Sequence, residues 1–150
     1  AYLAHELNTL WSRTGRTNRC VVALGAVAYR SGSKLLANPQ PVEHGVSIDS
    51  PYGLTKIVVE VLGLKASEFL QVICVRIGTV IPDDSEHDRR GGRLLATAFL
   101  QEDVRRFFRS CIDSDVGEYL LTAAQSDSPS RFVSLEPGLS ALKWQPVEWN

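Results

Sequence analysis

Methionine is absent from the 150 residues, and the chain opens at Ala1, so the expectation is a protein whose N-terminus lies further upstream. Cysteine is scarce: Cys20, Cys74 and Cys111 are odd in number and far apart. That pattern argues against a disulfide framework and for buried free thiols in a reducing cytoplasm. No apolar run is long enough to span a bilayer, and no basic lead followed by an apolar stretch marks a secretory signal. Charge of either sign is in little excess, with a formal net of -1. That removes the general electrostatic reason to expect nucleic acid or an acidic membrane as partner.

Chemical signatures are also missing. His5 begins an H-E-x-x-H pattern, but Thr9 replaces the second histidine and the metal pair is lost. His5, His44 and His87 are scattered, so no metal is expected. The G-x-S-x-G nucleophile elbow does not occur. The basic stretch Asp88 to Arg93 is offset by Asp83, Asp84, Glu86 and Asp88 and has no interleaved aromatics, which reads as a solvated loop.

What is present suits one globular domain: hydrophobic residues make up 44% and charged residues 22%. Leu3, Leu7 and Leu10 or Trp11 predict a helix over 3–14, stopped by Gly15. The apolar run Cys20 to Leu24 predicts a strand buried on both faces. Residues 30–50 read as loop. A helix follows, capped by Asp49 or Ser50 with Pro51 in its first turn. Its stripe of Leu54, Ile57, Val58, Val61 and Leu62 is expected to pack on the core. Gln71 to Ile77 predicts a second buried strand, and 82–93 a charged loop. Residues 101–113 predict an amphipathic helix with Val104, Phe107, Phe108, Cys111 and Ile112 on one face. Arg131 to Leu135 reads as a last short strand, and the tail with Trp144, Pro146 and Trp149 as irregular. This alternation predicts an α/β fold with parallel strands, too few to make a free-standing sheet.

The strongest chemical signal is Tyr-Gly-Leu-Thr-Lys, Tyr52 to Lys56. Residues four apart share a helix face, so the two polar side chains project together. An ammonium beside a phenol favours the phenolate, which can take a proton from a hydroxyl. By itself the spacing is a weak signal, and the bland alternative is a solvated surface pair.

The run SPYGLTK, followed by a strand ending VRIGTVIP, resembles the extended short-chain dehydrogenase/reductase family, which includes the NAD-dependent epimerases and dehydratases. NTLWSRTGRTNRCVVALGAVAY is similar to that family's helix and fourth strand, and PVEHGVSIDSPYGLTK to the loop and helix that follow. RIGT, then GRLLATAFLQEDVRRFFRS, most resembles its uronate dehydrogenases; ALKWQPVE resembles their ending, with Lys143 in place of a glycine.

The resemblance implies that 1–150 form the C-terminal part of a single NAD(P)-binding Rossmann-like domain, a doubly wound parallel sheet whose first nucleotide-binding half is absent. It implies NAD as cofactor, with NADP left open, a sugar or sugar-acid substrate, and a homodimer. By position, Tyr52 would transfer the proton and Lys56 would hold the nicotinamide ribose. The backbone at Ile77 would approach the nicotinamide amide. Thr79 would contact substrate, and Arg93 would pair with a uronate carboxylate, as a guanidinium fork is suited to do. Two departures stand out. No G-x-x-G-x-x-G or G-x-G-x-x-G turn occurs to cradle a diphosphate. Counting back four residues from Tyr29, to the family's hydroxyl-bearing Ser or Thr, reaches Gly25, with Ala26 and Val27 after it. An NAD-dependent oxidoreductase and a non-catalytic binding or association module therefore both stay open.

Overall fold

The computed structural model describes residues 20–25, 51–82, 96–131 and 133–147, with the first of these segments as backbone only. The predicted helix over 3–14, the loop at 30–50, the 82–93 loop beyond Pro82, the capping residues Asp49 and Ser50, and Trp149 lie outside them.

The elements run β1 (Cys20–Gly25), α1 (Pro51–Ala66), β2 (Gln71–Ile77), β3 (Thr79–Ile81), β4 (Ala98–Leu100), α2 (Gln101–Asp113), β5 (Tyr119–Ala124) and α3 (Gly138–Leu142). Strands β1, β2 and β5 form a parallel sheet with β2 in the middle; β3 and β4 form a separate parallel pair. The first two strands and both long helices fall where the apolar patterning predicts them. The central strand is buried along almost its whole length, as a strand covered on both faces must be.

Alternation along β2 divides the interior. Ile73 and Val75 face α2 and the tail, in a core with Phe99, Phe107, Cys111, Leu120, Leu135 and Trp144. Val72 and Cys74 face α1, in a smaller cluster with Leu70. Helical structure thus covers both faces of the sheet. Aromatic rings fill the larger core edge to face: Trp144 lies 5.1 Å from Phe107 and 6.2 Å from Phe99, between ring centroids.

Three expectations are corrected. The last strand is Tyr119–Ala124, not Arg131 to Leu135, where Val133 makes only an isolated bridge. Tyr119 to Ala124 pairs with β2 along its length, whereas Arg131 turns its guanidinium onto the Val133 carbonyl at 2.6 Å and closes a local loop. On α1, Leu54, Val58, Val61 and Leu62 are exposed instead of packed on the core. Close packing against the sheet is taken up by Gly63, because a smooth helix face approaches a sheet more closely than a branched one. Finally, Ile112 is 69% exposed, outside the α2 face that buries Phe107 and Cys111.

The tail is tied to α2 by a buried carboxylate. Asp103 accepts hydrogen bonds from Ser126 Oγ and from the Val147 backbone N–H at 2.8 Å. Ser126 Oγ in turn accepts from the Leu100 N–H at 2.9 Å. Among the described residues no helix is long and apolar enough to cross a membrane.

Candidate active site

Helix α1 carries the Tyr-x-x-x-Lys pair, so its seating on the sheet decides where that pair sits. Arg76 is embedded in β2, only 6% exposed, and a charge removed from water needs a partner. Glu60 supplies it: Arg76 Nε donates to Oε1 at 2.8 Å and Nη2 to Oε2 at 3.0 Å. This two-toothed pairing sets both the rotation and the height of the helix. One turn further along, Gly63 lies so close to β2 that a Cβ there would stand 2.5 Å from Cys74 Sγ.

These two contacts also give direction. Gly63 sits at the level of Cys74, and Glu60 at the level of Arg76, so α1 runs antiparallel to β2. Lys56 and Tyr52 continue in the same sense, about 6 and 12 Å beyond Glu60 at the helical rise per residue. That carries them to the C-terminal edge of the sheet, where ligands lie in open parallel α/β folds. The same edge holds Gly25 at the end of β1, Ile77 at the end of β2 and Gln125 just after β5.

The pair itself is formed. Lys56 Nζ stands over the Tyr52 ring, 5.1 Å from its centroid. Thr55 Oγ1 donates to the Tyr52 carbonyl at 2.7 Å, satisfying part of the first turn. Tyr52 is 62% exposed, so its phenol is accessible to a ligand, and Lys56 is half-buried.

The Ile77 side chain packs against the core on the α2 side, which leaves only its backbone at the edge. Gly78 then threads a gap that a side chain would fill, against the Thr97 carbonyl and Gln125, and donates its N–H to the Ala124 carbonyl at 2.9 Å. The glycine of the RIGT run is a requirement of this close passage. Thr79, exposed, shares a hydrogen bond with the Thr97 hydroxyl at 3.0 Å. Arg93 lies outside the described residues. The structure therefore brings Tyr52 and Lys56 into contact and puts Ile77 and Thr79 at the same sheet edge.

Sequence reasoning missed Glu60, Arg76 and Gln125. An arginine inside an apolar strand is itself a signal, since it demands an acid on the covering helix. Gln125 gives no such signal. It is buried, and its Oε1 has no hydrogen-bond partner. Beneath α1, burial raises the Cys74 thiol above the ordinary 9.0, although its hydrogen bond to Tyr119 opposes this. The Tyr119 phenol is likewise pushed up from 10.0, by burial first and then by its hydrogen bond to Cys74.

No family model matches the chain. Among curated proteins, the uncharacterized protein YtbQ of Bacillus subtilis (strain 168) is 30% identical over 97 residues, 63% of this chain and 38% of that protein. Among solved structures, a mutated uronate dehydrogenase superposes with a TM-score of 0.71 at 21% identity, covering 97% of this chain and 50% of that one. The glucuronic acid dehydrogenase from Chromohalobacter salexigens gives 0.68 at 18%, over 97% and 52%. MoeE5 in complex with UDP-glucose and NAD gives 0.66 at 14%, over 97% and 65%. The chain thus shares the Rossmann-like fold of these structures, and spans about half the length of the first solved structures it matches.

Proposed function

We propose that this chain provides the substrate and nicotinamide side of an NAD-dependent oxidoreductase that oxidises a hydroxyl of a sugar or uronate. The observation that carries the reading is the Tyr52–Lys56 pair, in contact and accessible at the C-terminal edge of a parallel sheet. The relatives in fold include proteins described as uronate dehydrogenase and as bound to UDP-glucose with NAD.

The residues fit the nicotinamide end of such a cofactor. Lys56 would hold a ribose from the helix face, the Ile77 backbone stands at the edge, and the unpaired Gln125 Oε1 would offer a buried acceptor beside it. No glycine-rich diphosphate turn occurs in these residues, so they address that end alone. When bound, NAD supplies the hydride acceptor. Tyr52 Oη takes the proton of the substrate hydroxyl as the C–H electron pair departs, and a carbonyl is left; from C1 of a cyclic uronate the product is a lactone. Lys56, over the Tyr52 ring, holds the phenol in position. Thr79 holds substrate, and Arg93 anchors a uronate carboxylate.

NADH formation by the full-length protein with a panel of uronates and neutral sugars tests this. Tyr52→Phe should lower kcat by about 100-fold or more with little change in fold, because it deletes the proton acceptor. Full turnover by that variant would remove Tyr52 from the reaction.

A second reading, a binding or association module, is favoured by Gly25, which offers no hydroxyl to polarise a substrate oxygen. Gly25→Ser separates the two: a large gain in rate marks an impaired enzyme, and no effect favours binding. Under either reading the exposed stripe Leu54, Val58, Val61 and Leu62 is the surface on which we place a homodimer contact. Sedimentation of a Val58→Glu/Leu62→Glu protein as a monomer, against a wild-type dimer, checks it.

A further inference from the structure

Thr79 opens β3 in register with Ala98 of β4, and Thr97 is the residue before that partner. The two threonine hydroxyls meet at 3.0 Å, and either can be the donor. Their surroundings differ. Thr79 is exposed, whereas Thr97 is buried and flanked by buried Ala96, Ala98 and Phe99. The chain around Thr97 is also fixed from outside. Its carbonyl lies against Gly78, the residue before Thr79. The Ala98 carbonyl accepts from the Ser126 N–H at 2.9 Å, and the Leu100 N–H donates to Ser126 Oγ at 2.9 Å. Ser126 Oγ in turn donates to the buried Asp103 carboxylate. A side chain open to solvent is thus bonded to one on an anchored backbone.

Rotation about χ1 moves a threonine hydroxyl among staggered positions. At an exposed site water competes for each of them. The bond to Thr97 favours one. A hydroxyl has one proton and two lone pairs, so Thr79 keeps bonding capacity once the pair is made. It retains both lone pairs when it donates to Thr97, and its proton and one lone pair when it accepts. A sugar hydroxyl both donates and accepts, so it can meet Thr79 in either case.

We propose that Thr97 is a positioning residue, which holds the Thr79 hydroxyl in the orientation that receives a hydroxyl of the sugar or uronate substrate. This rests on the reading of Thr79 as a substrate contact. Thr97, buried behind Thr79, acts through that side chain. A hydroxyl already turned the right way loses less freedom when substrate arrives. The benefit therefore falls on binding and leaves the chemical step alone.

The test is steady-state kinetics of the full-length protein with NAD, using D-glucuronate and D-glucose as probes, beside calorimetric binding of both sugars in the presence of NAD. Thr79→Val should raise KM about tenfold, the loss of one hydrogen bond. Thr97→Val keeps the shape and deletes the hydroxyl, so KM should rise about fivefold with kcat within about twofold of wild type. Adding Thr97→Val to Thr79→Val should change KM no further. Thr97→Ser keeps the hydroxyl and deletes a buried methyl, so it should melt below wild type yet hold KM within about twofold. Thr97→Ala takes the place of Thr97→Val should that variant fail to fold. A KM raised by Thr79→Val but not by Thr97→Val overturns the positioning role and leaves the substrate contact standing. KM values that rise together in Thr97→Val and Thr97→Ser, or effects that add in the double variant, mark a packing role and overturn it as well. Wild-type behaviour of Thr79→Val, or a wild type that neither binds nor oxidises either sugar, removes the substrate contact and the proposal with it.

Discussion

Replacing Gly63 by alanine separates the tertiary argument from helix propensity, because the two predict opposite signs. Inside an exposed helix, glycine to alanine stabilises by about 1 kcal/mol. Here the new Cβ would stand 2.5 Å from Cys74 Sγ and 3.5 Å from Val72 Cγ1. Cys74 is buried in the central strand and its thiol is hydrogen-bonded with Tyr119, so α1 should lift by about 1 Å to restore ordinary contact distances. Overpacking of this kind costs about 3 kcal/mol at its upper typical value, leaving a net loss of about 2 kcal/mol. Urea denaturation reads this as a lowered midpoint at unchanged slope. Cys74→Ala removes the opposing sulfur, so the double variant should recover most of the loss, a coupling of about 1 to 2 kcal/mol. Because α1 also carries Tyr52 and Lys56, Gly63→Ala should cut turnover by up to about 100-fold, the effect of a 1 Å misplacement. A Gly63→Ala protein more stable than wild type, or two substitutions that simply add, would refute the close seating of α1 on β2.

Other consequences are simpler. Glu60→Ala leaves the Arg76 guanidinium buried without its carboxylate and should cost about 3–5 kcal/mol, whereas Glu60→Met with Arg76→Met together should come much closer to wild type; denaturation of all three shows whether the pair positions or merely stabilises. Asp103→Asn turns a carboxylate oxygen toward the N–H or O–H it served as an amide donor, so about 1–3 kcal/mol should be lost and the Val147 amide should exchange faster with solvent. Cys74 and Tyr119 have raised folded-state pKa values, so they bind their protons more tightly folded than unfolded. Their contribution is complete below the ordinary values of 9.0 and 10.0 and is lost as pH rises above them. Melting temperature measured upward from pH 8 should fall across that window, and less steeply in Tyr119→Phe.

Local pattern carried much of the architecture. The β-strands Cys20–Gly25 and Gln71–Ile77 are built on the apolar runs Cys20 to Leu24 and Val72 to Val75, and the two long helices have helical spacing, so each was legible from residues a few places apart. The Tyr52–Lys56 contact was legible for the same reason, since a single helical period puts the two together. Strand Tyr119–Ala124 escaped because it is an unremarked six-residue stretch that becomes a strand only by pairing with β2. The short β3 and β4 strands likewise exist through each other and through the tight passage at Gly78.

Which way α1 faces shows where local reasoning stops. Amphipathic spacing identifies an apolar stripe but not what covers it, and Leu54, Val58, Val61 and Leu62 point outward while Gly63 and the Glu60–Arg76 fork meet the sheet. The amino-acid sequence by itself determined the alternating α/β pattern, the Tyr-x-x-x-Lys helix and the likeness to a dehydrogenase family, because these depend on neighbours along the chain. Only the tertiary structure decided the seating of that helix, the unpaired Gln125 at the sheet edge and the Thr79–Thr97 hydroxyl pair. Each of these is a relation between residues far apart in sequence, set by the close approach of backbones and the need of buried charge for a partner.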